Sequence, residues 1–344
     1  MKHTNRTIVA IAWLAVSAPA YAQFGGLGGL AKQAQQKLDE VTVSDAEERK
    51  IGEDVSAKLR ERFGVVQDPA IHKYVTLVGS TLARQSERPT LNWTFIVLDT
   101  DGVNAFASPG GLVHVTRGAL AIIKNEGELA GVLGHEIGHV TRKHTINAIK
   151  KNKLVKMGTD AAASRSAVIG QMSTAAYENV LENSFDRSDE VDADRVSVDV
   201  TKKAGYAPAS LAEFLVRLDE RNKNMPERNG LFASHPETKI RIDSIRKLAA
   251  AGSGGLVAAR YSANVKYQPT PVTAIVAVDE SKTKGFGVDA QKAFTPEKQT
   301  TQVTGSGGSR GLGPDRAAKG GDNPALVKVS VSAAEVEAFK KGIA

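Results

Sequence analysis

The 344-residue chain contains no cysteine. Disulfides, thiolate metal ligands and a lipid-modified cysteine behind a leader are all excluded, so any metal site must use nitrogen and oxygen. Aromatic residues are only 5% of the chain. The one dense basic group, Lys143 and Lys150 to Lys156, has no interleaved aromatics to stack on bases, so no nucleic acid is expected as a partner. Long hydrophobic runs are also missing. The apolar stretch Ile8 to Val16 is too short to span a bilayer, and later ones are broken by charge. Neither sign of charge dominates, with 45 Lys and Arg against 38 Asp and Glu, which implies at most weak attraction to anionic surfaces.

What is present at the start reads as an export signal. Lys2, His3 and Arg6 form a basic beginning, Ile8 to Val16 the apolar centre, and Ala20-Tyr21-Ala22 a small-residue cleavage site. Residues 1–22 are thus expected to be a signal peptide that sends a soluble protein to the periplasm, and the Gly-rich residues 23–43 a flexible linker. Ordered structure is expected over 44–250, and 251–344 reads as a low-complexity extension ending in a short helix.

The segment His135-Glu136-Ile137-Gly138-His139 lies within an apolar helical pattern of Leu129, Val132, Leu133, Ile137 and Val140. Helical geometry puts His135 and His139 on one face, one turn apart, where two imidazoles can grip one ion. Glu136 is rotated off that stripe, so its carboxylate is placed to act on water as a base. Only seven histidines occur in the chain, which makes the pairing informative. Gly131, Gly134 and Gly138 remove side chains where another element can approach closely.

Around this helix the pattern predicts an α+β fold, predominantly α. Ser44-Asp45-Ala46-Glu47 has the form of a capping box leading a helix to about Phe63, and Asp68-Pro69 starts a second. Trp93 to Leu98 and Gly111 to Val115 read as strands joined through Asn104 to Gly110. Helices are expected near 117–124, 127–149, 171–204, 208–221 and 236–249. The Ala- and Ser-rich stretch 154–170 reads as a lid, a membrane-surface segment or a connecting loop. Gly252 to Gly255 opens a linker, Gln268 to Val278 suggests a short strand, and Thr304 to Asn323 a mobile stretch. Ser332 caps the terminal helix, which is free to dock on the body or on a partner.

Some 50 residues after the paired histidines, Glu190 and Asp194 share a helical face in an acid-rich segment. One carboxylate can complete a two-His, one-Glu set that leaves a position open for water, as in catalytic zinc sites. The other, one turn away, can accept the free N–H of a ligating imidazole. His144, five residues past His139, is rotated off the ligand face and reads as a surface or outer-layer residue. His72 and His114 have no evident partners.

His135 to His139, followed by Glu190-x-x-Ala193-Asp194 and by Ser234-His235-Pro236-x-x-x-x-Arg241, resembles the zinc metallopeptidase family that includes HtpX, BepA and the CAAX prenyl protease. The segment Asn104-Ala105-Phe106-Ala107-x-Pro109-Gly110-Gly111 is similar to the same family's sequence before the active helix. The likeness covers about residues 44–249 and implies a zincin-type catalytic domain. It implies one zinc ion on His135, His139 and Glu190, Glu136 as catalytic base and Asp194 behind the ligands. It also implies that His235 lies near the metal, either polarising the substrate carbonyl or occupying the open position in a latent form. Asp186 stands where the family usually has Ser before an Arg, and the family's long membrane spans and helical repeats are missing. The implied function is an endopeptidase acting on unfolded or misfolded envelope proteins. Its partners would be protein or peptide substrates and, peripherally, the membrane or an outer-membrane assembly. Gly111 to Val115 would be the edge strand that pairs with substrate. The alternative is a chaperone-like zinc protein whose latent site is closed by His235.

Overall fold

The computed structural model describes residues 42–157, 165–182, 185–223, 238–250, 252–270, 276–277, 309–310 and 323–343. The expected signal peptide and nearly all of the linker lie outside these residues, as do His235 and most of 304–323. The helices are α1 (Asp45–Phe63), α2 (Pro69–Ala83), α3 (Arg117–Ile122), α4 (Glu126–Thr141), α5 (His144–Met157), α6 (Arg165–Glu182), α7 (Arg187–Ala204), α8 (Ser210–Asn222), α9 (Thr238–Ala249), α10 (Ala258–Asn264) and α11 (Ala333–Lys341). Among the described residues no helix is long and apolar enough to cross a membrane.

Local chemistry sets several of these boundaries. Ser44 Oγ accepts from Glu47 N while Glu47 accepts from the Ser44 amide, the predicted capping box of α1. Asp68 caps α2, and Pro69 fills the first helical position, where its missing N–H costs no hydrogen bond. Asn125 caps α4 by accepting from Glu128 N.

Between α2 and α3 lie β1 (Thr94–Leu98), β2 (Ala105–Ser108) and β3 (Leu112–Thr116), ordered β1-β3-β2. β3 runs parallel to β1 and antiparallel to β2. The sheet departs from expectation at two places. The connection 104–110 contains a strand, and β3 is central rather than at the edge, which leaves β2 on the edge. β2 is only four residues long and buried throughout, so it carries no polar alternation to reveal it. Successive strand residues serve different cores. Phe95, Val97, Val113 and Val115 join a core with α2 and α4, while Ile96, Leu98 and Phe106 join one with α1 and α6. The β2–β3 turn uses Gly110 at φ 71° and Gly111 at φ 94°, and a Cβ on Gly110 would sit 2.5 Å from Arg49 Cα on α1.

The two longest predicted helices each break in two. The one expected over 127–149 ends at Thr141 and restarts at His144, because Lys143 adopts φ 56° and turns the chain. The one expected over 171–204 is α6 and α7, with a break in which Phe185 buries its ring against His139. All residues of α4 are buried, which makes it the centre around which α2, α7 and α8 pack.

Packing continues past residue 250. Gly255 exchanges backbone hydrogen bonds with Gly205 and Ala207 and packs beside Ile343, so the expected linker is a packed segment bridged to Tyr206. Tyr261, Val265 and Ile343 belong to the α4 core. Ser332 caps α11 as predicted, and α11 docks on α2 through Lys73–Glu335 and an edge contact of Phe339 with Tyr74. Within the expected strand Gln268 to Val278, Val276–Ala277 (β4) pairs with Ser309–Arg310 (β5).

Candidate metal centre

The approach of α7 to α4 creates the site. A Cβ on Gly134 would lie 3.2 Å from Ser197 Cα, and one on Gly138 would lie 2.9 Å from Ala193 Cα, so glycine at both positions lets the two backbones meet. Ser197 Oγ donates to Gly131 O at 2.7 Å and fixes the register between the helices. With that register set, Glu190 and Asp194, one turn apart on α7, face His135 and His139 on α4.

His135 Nε2 and His139 Nε2 lie 3.0 Å apart, and each lies 3.4 Å from a Glu190 carboxylate oxygen. All three side chains are buried. Around a zinc ion with bonds of about 2.0–2.1 Å, tetrahedral donors are separated by about 3.3 Å, so the donor set fits that ion in both chemistry and spacing. His135, His139 and Glu190 are the one such group found among the described residues.

Behind each imidazole stands a partner. Asp194 Oδ1 lies 2.9 Å from His135 Nδ1, so it can accept that N–H and leave Nε2 for the ion. Burial pushes the Asp194 carboxyl up, but Arg241 and His135 outweigh it and hold it at about 2. Burial and Arg241 push His135 down, yet Asp194 and Glu190 outweigh them and raise it to about 9, so a proton and a metal ion compete for this imidazole. His144 Nδ1 lies 3.0 Å from His139 Nδ1, and Phe185 stacks on the His139 ring with centroids 3.9 Å apart. His144 is therefore an outer-layer residue of the site, one of the two readings its position allowed. Glu136 is buried on α4 beside the first histidine and acts electrostatically on Arg241.

Arg241 on α9 is the residue to which the sequence reading gave no role. It is 3% exposed, grips Asp194 with Nε at 2.9 Å and Nη2 at 2.7 Å, and places Nη1 3.0 Å from Glu190 Oε2. Its presence in the segment that resembles the metallopeptidases was the available signal. His72 and His114 lie outside the site: His72 Nε2 approaches Val66 O at 2.8 Å, and His114 Nε2 approaches Ser56 Oγ at 2.9 Å.

Residues 69–249 match the family described as Peptidase family M48. The chain is 30% identical to metalloprotease YcaL of Escherichia coli over 220 residues, covering 61% of this chain and 83% of that protein. It is 27% identical to metalloprotease LoiP of the same organism, covering 63% and 86%. Similarity to the beta-barrel assembly-enhancing protease of Yersinia pestis is 26% over 60% of this chain, and the match spans 45% of that relative's length. With more than half its length matched, and with a buried His-His-Glu cluster inside the matched region, the chain belongs to peptidase family M48.

Proposed function

We propose that the protein is a zinc-dependent endopeptidase that cleaves exposed, extended segments of unfolded envelope proteins in the periplasm. The observation that carries this reading is the convergence of His135, His139 and Glu190, with Asp194 behind the first imidazole and Glu136 on the adjacent helical position. His135, His139 and Glu190 would hold the ion, and its chemistry when bound is Lewis acidity toward the scissile carbonyl and acidification of the attacking water. Glu136 takes a proton from the attacking water at its carboxylate and passes it to the leaving amine nitrogen. Asp194 keeps the His135 proton on Nδ1. His235 is assigned to the substrate carbonyl or to closing the site.

Because β3 has a strand on each side and β2 is buried throughout, substrate pairing is assigned to neither strand. Recognition of an extended segment through its backbone hydrogen bonds would favour unfolded chains over one strict sequence. The leader expected at residues 1–22 would supply the compartment, and the Yersinia relative, by its name a beta-barrel assembly-enhancing protease, supports the substrate class.

Glu136→Gln tests the assignment of the base. It is expected to retain zinc and to lose cleavage of casein by at least about a hundredfold. Casein cleavage at the wild-type rate by Glu136→Gln would contradict it.

A further inference from the structure

His144 opens α5 immediately after Lys143, whose φ of 56° reverses the chain so that the His144 ring returns to α4. This left-handed region is unfavourable for a residue with a Cβ and persists only where the surroundings hold it. Lys143 is held there by its own ammonium, which lies 2.9 Å from the buried carboxylate of Glu48. The turn leaves His144 Nδ1 3.0 Å from His139 Nδ1, both rings buried and their planes 75° apart.

Two ring nitrogens at this distance share one proton. If His139 presents the Nε2 lone pair to an ion, its proton resides on Nδ1, and His144 Nδ1 must be the acceptor. The remaining His144 proton then sits on Nε2, which faces Asp192 Oδ2 at 3.6 Å and Asp189 Oδ1 at 3.8 Å. These distances are too long for direct hydrogen bonds, but the two carboxylates favour that tautomer electrostatically. Asp192 is itself held 3.0 Å from Arg142 Nε.

We infer that His144 is a positioning residue for His139, accepting the His139 Nδ1–H at its own Nδ1 and so fixing the tautomer and ring plane in which Nε2 faces the metal. The two ligating imidazoles are then backed differently, His135 by the anionic Asp194 and His139 by a neutral ring. A neutral acceptor orients the ligand without adding negative charge behind it, which preserves the Lewis acidity that the proposed reaction needs.

This inference rests on His139 being a ligand, and the experiment separates the two. In the zinc-loaded full chain with nitrogen-labelled histidine, a scalar coupling across the hydrogen bond from His139 Nδ1 to His144 Nδ1 is expected by NMR, and its absence overturns the inference. Competition against a chromophoric chelator is expected to show His144→Phe, which keeps a ring and loses the acceptor, binding zinc about 10- to 100-fold more weakly. His144→Asn places an amide oxygen where Nδ1 stood and is expected to stay within about threefold of wild type. Equal weakening of both variants, or full affinity in His144→Phe, overturns the positioning role. Full zinc binding by His139→Ala would instead remove the ligand reading itself.

Discussion

Arg241 Nη2 lies 2.7 Å from Asp194 Oδ1, the same oxygen that stands 2.9 Å from His135 Nδ1. A guanidinium from α9 therefore steadies the carboxylate behind His135, a proposed metal ligand, and three helices converge on one imidazole. Arg241 also faces Glu190, so its charge compensates two buried carboxylates that an apo site would otherwise leave in repulsion.

Removal of that charge is expected to be costly. Arg241→Met should destabilise the metal-free protein by about 3–5 kcal/mol, because it leaves Asp194 and Glu190 with His135 alone to compensate two buried carboxylates. Arg241→Lys should recover less than half of the loss, since an ammonium cannot reproduce the two-pronged contact with Asp194. Urea unfolding in chelator measures both.

Asp194→Asn keeps the shape of the side chain and removes its charge. Zinc affinity is expected to fall by about 10- to 100-fold, with overall secondary structure unchanged by circular dichroism. Unchanged affinity would show that His135 is oriented by packing alone.

Glu48 supplies a pH dependence away from the metal. Burial pushes its carboxyl up, but Arg88, Lys143 and the Gly110 N–H outweigh it and hold it below the ordinary glutamate value. A depressed folded-state value means that the contribution is fully present above the unfolded value, near 4.5, and is lost as pH falls through the folded value. Glu48→Gln should therefore lose stability near about pH 7 and show a flatter acid limb than wild type. Urea titrations of both proteins in chelator, from neutral to acid pH, check the slope.

Gly138→Ala sets helix propensity against close packing. Alanine is favoured in a helix interior by about 1 kcal/mol. The new Cβ would meet Ala193 Cα at 2.9 Å and Ala193 O at 3.0 Å, atoms of the α7 backbone that cannot rotate away. Sterics should win, with a net loss of about 1–3 kcal/mol and weaker zinc binding as Glu190 is pushed from its place. Thermal unfolding with and without zinc separates the two effects.

The legibility of the site in the sequence follows helix geometry. His135 and His139 four apart, and Glu190 and Asp194 four apart, share faces whatever the tertiary structure, and the approach of the two helices was signalled by the glycines. His144 was readable only as a surface or outer-layer residue, because helical spacing does not carry through Lys143, where the chain turns. Arg241 lay on another helix, and no periodicity tells which buried carboxylate a distant guanidinium will meet. In the fold, α1, α2 and the terminal helix were readable from their caps. β2 was not, because Ala105-Phe106-Ala107-Ser108 has both faces covered and reads like a connection. The continuous helix predicted over 171–204 missed the gap before α7, because an apolar residue such as Phe185 looks like helix interior until its ring is seen against His139.

Metal content tests the central claim most directly. Wild-type protein purified without chelator and measured by plasma mass spectrometry is expected to carry about one zinc per chain, and His139→Ala and Glu190→Gln close to none at the same free zinc concentration. Wild-type protein free of zinc, or variants that retain the full wild-type amount, would contradict the site.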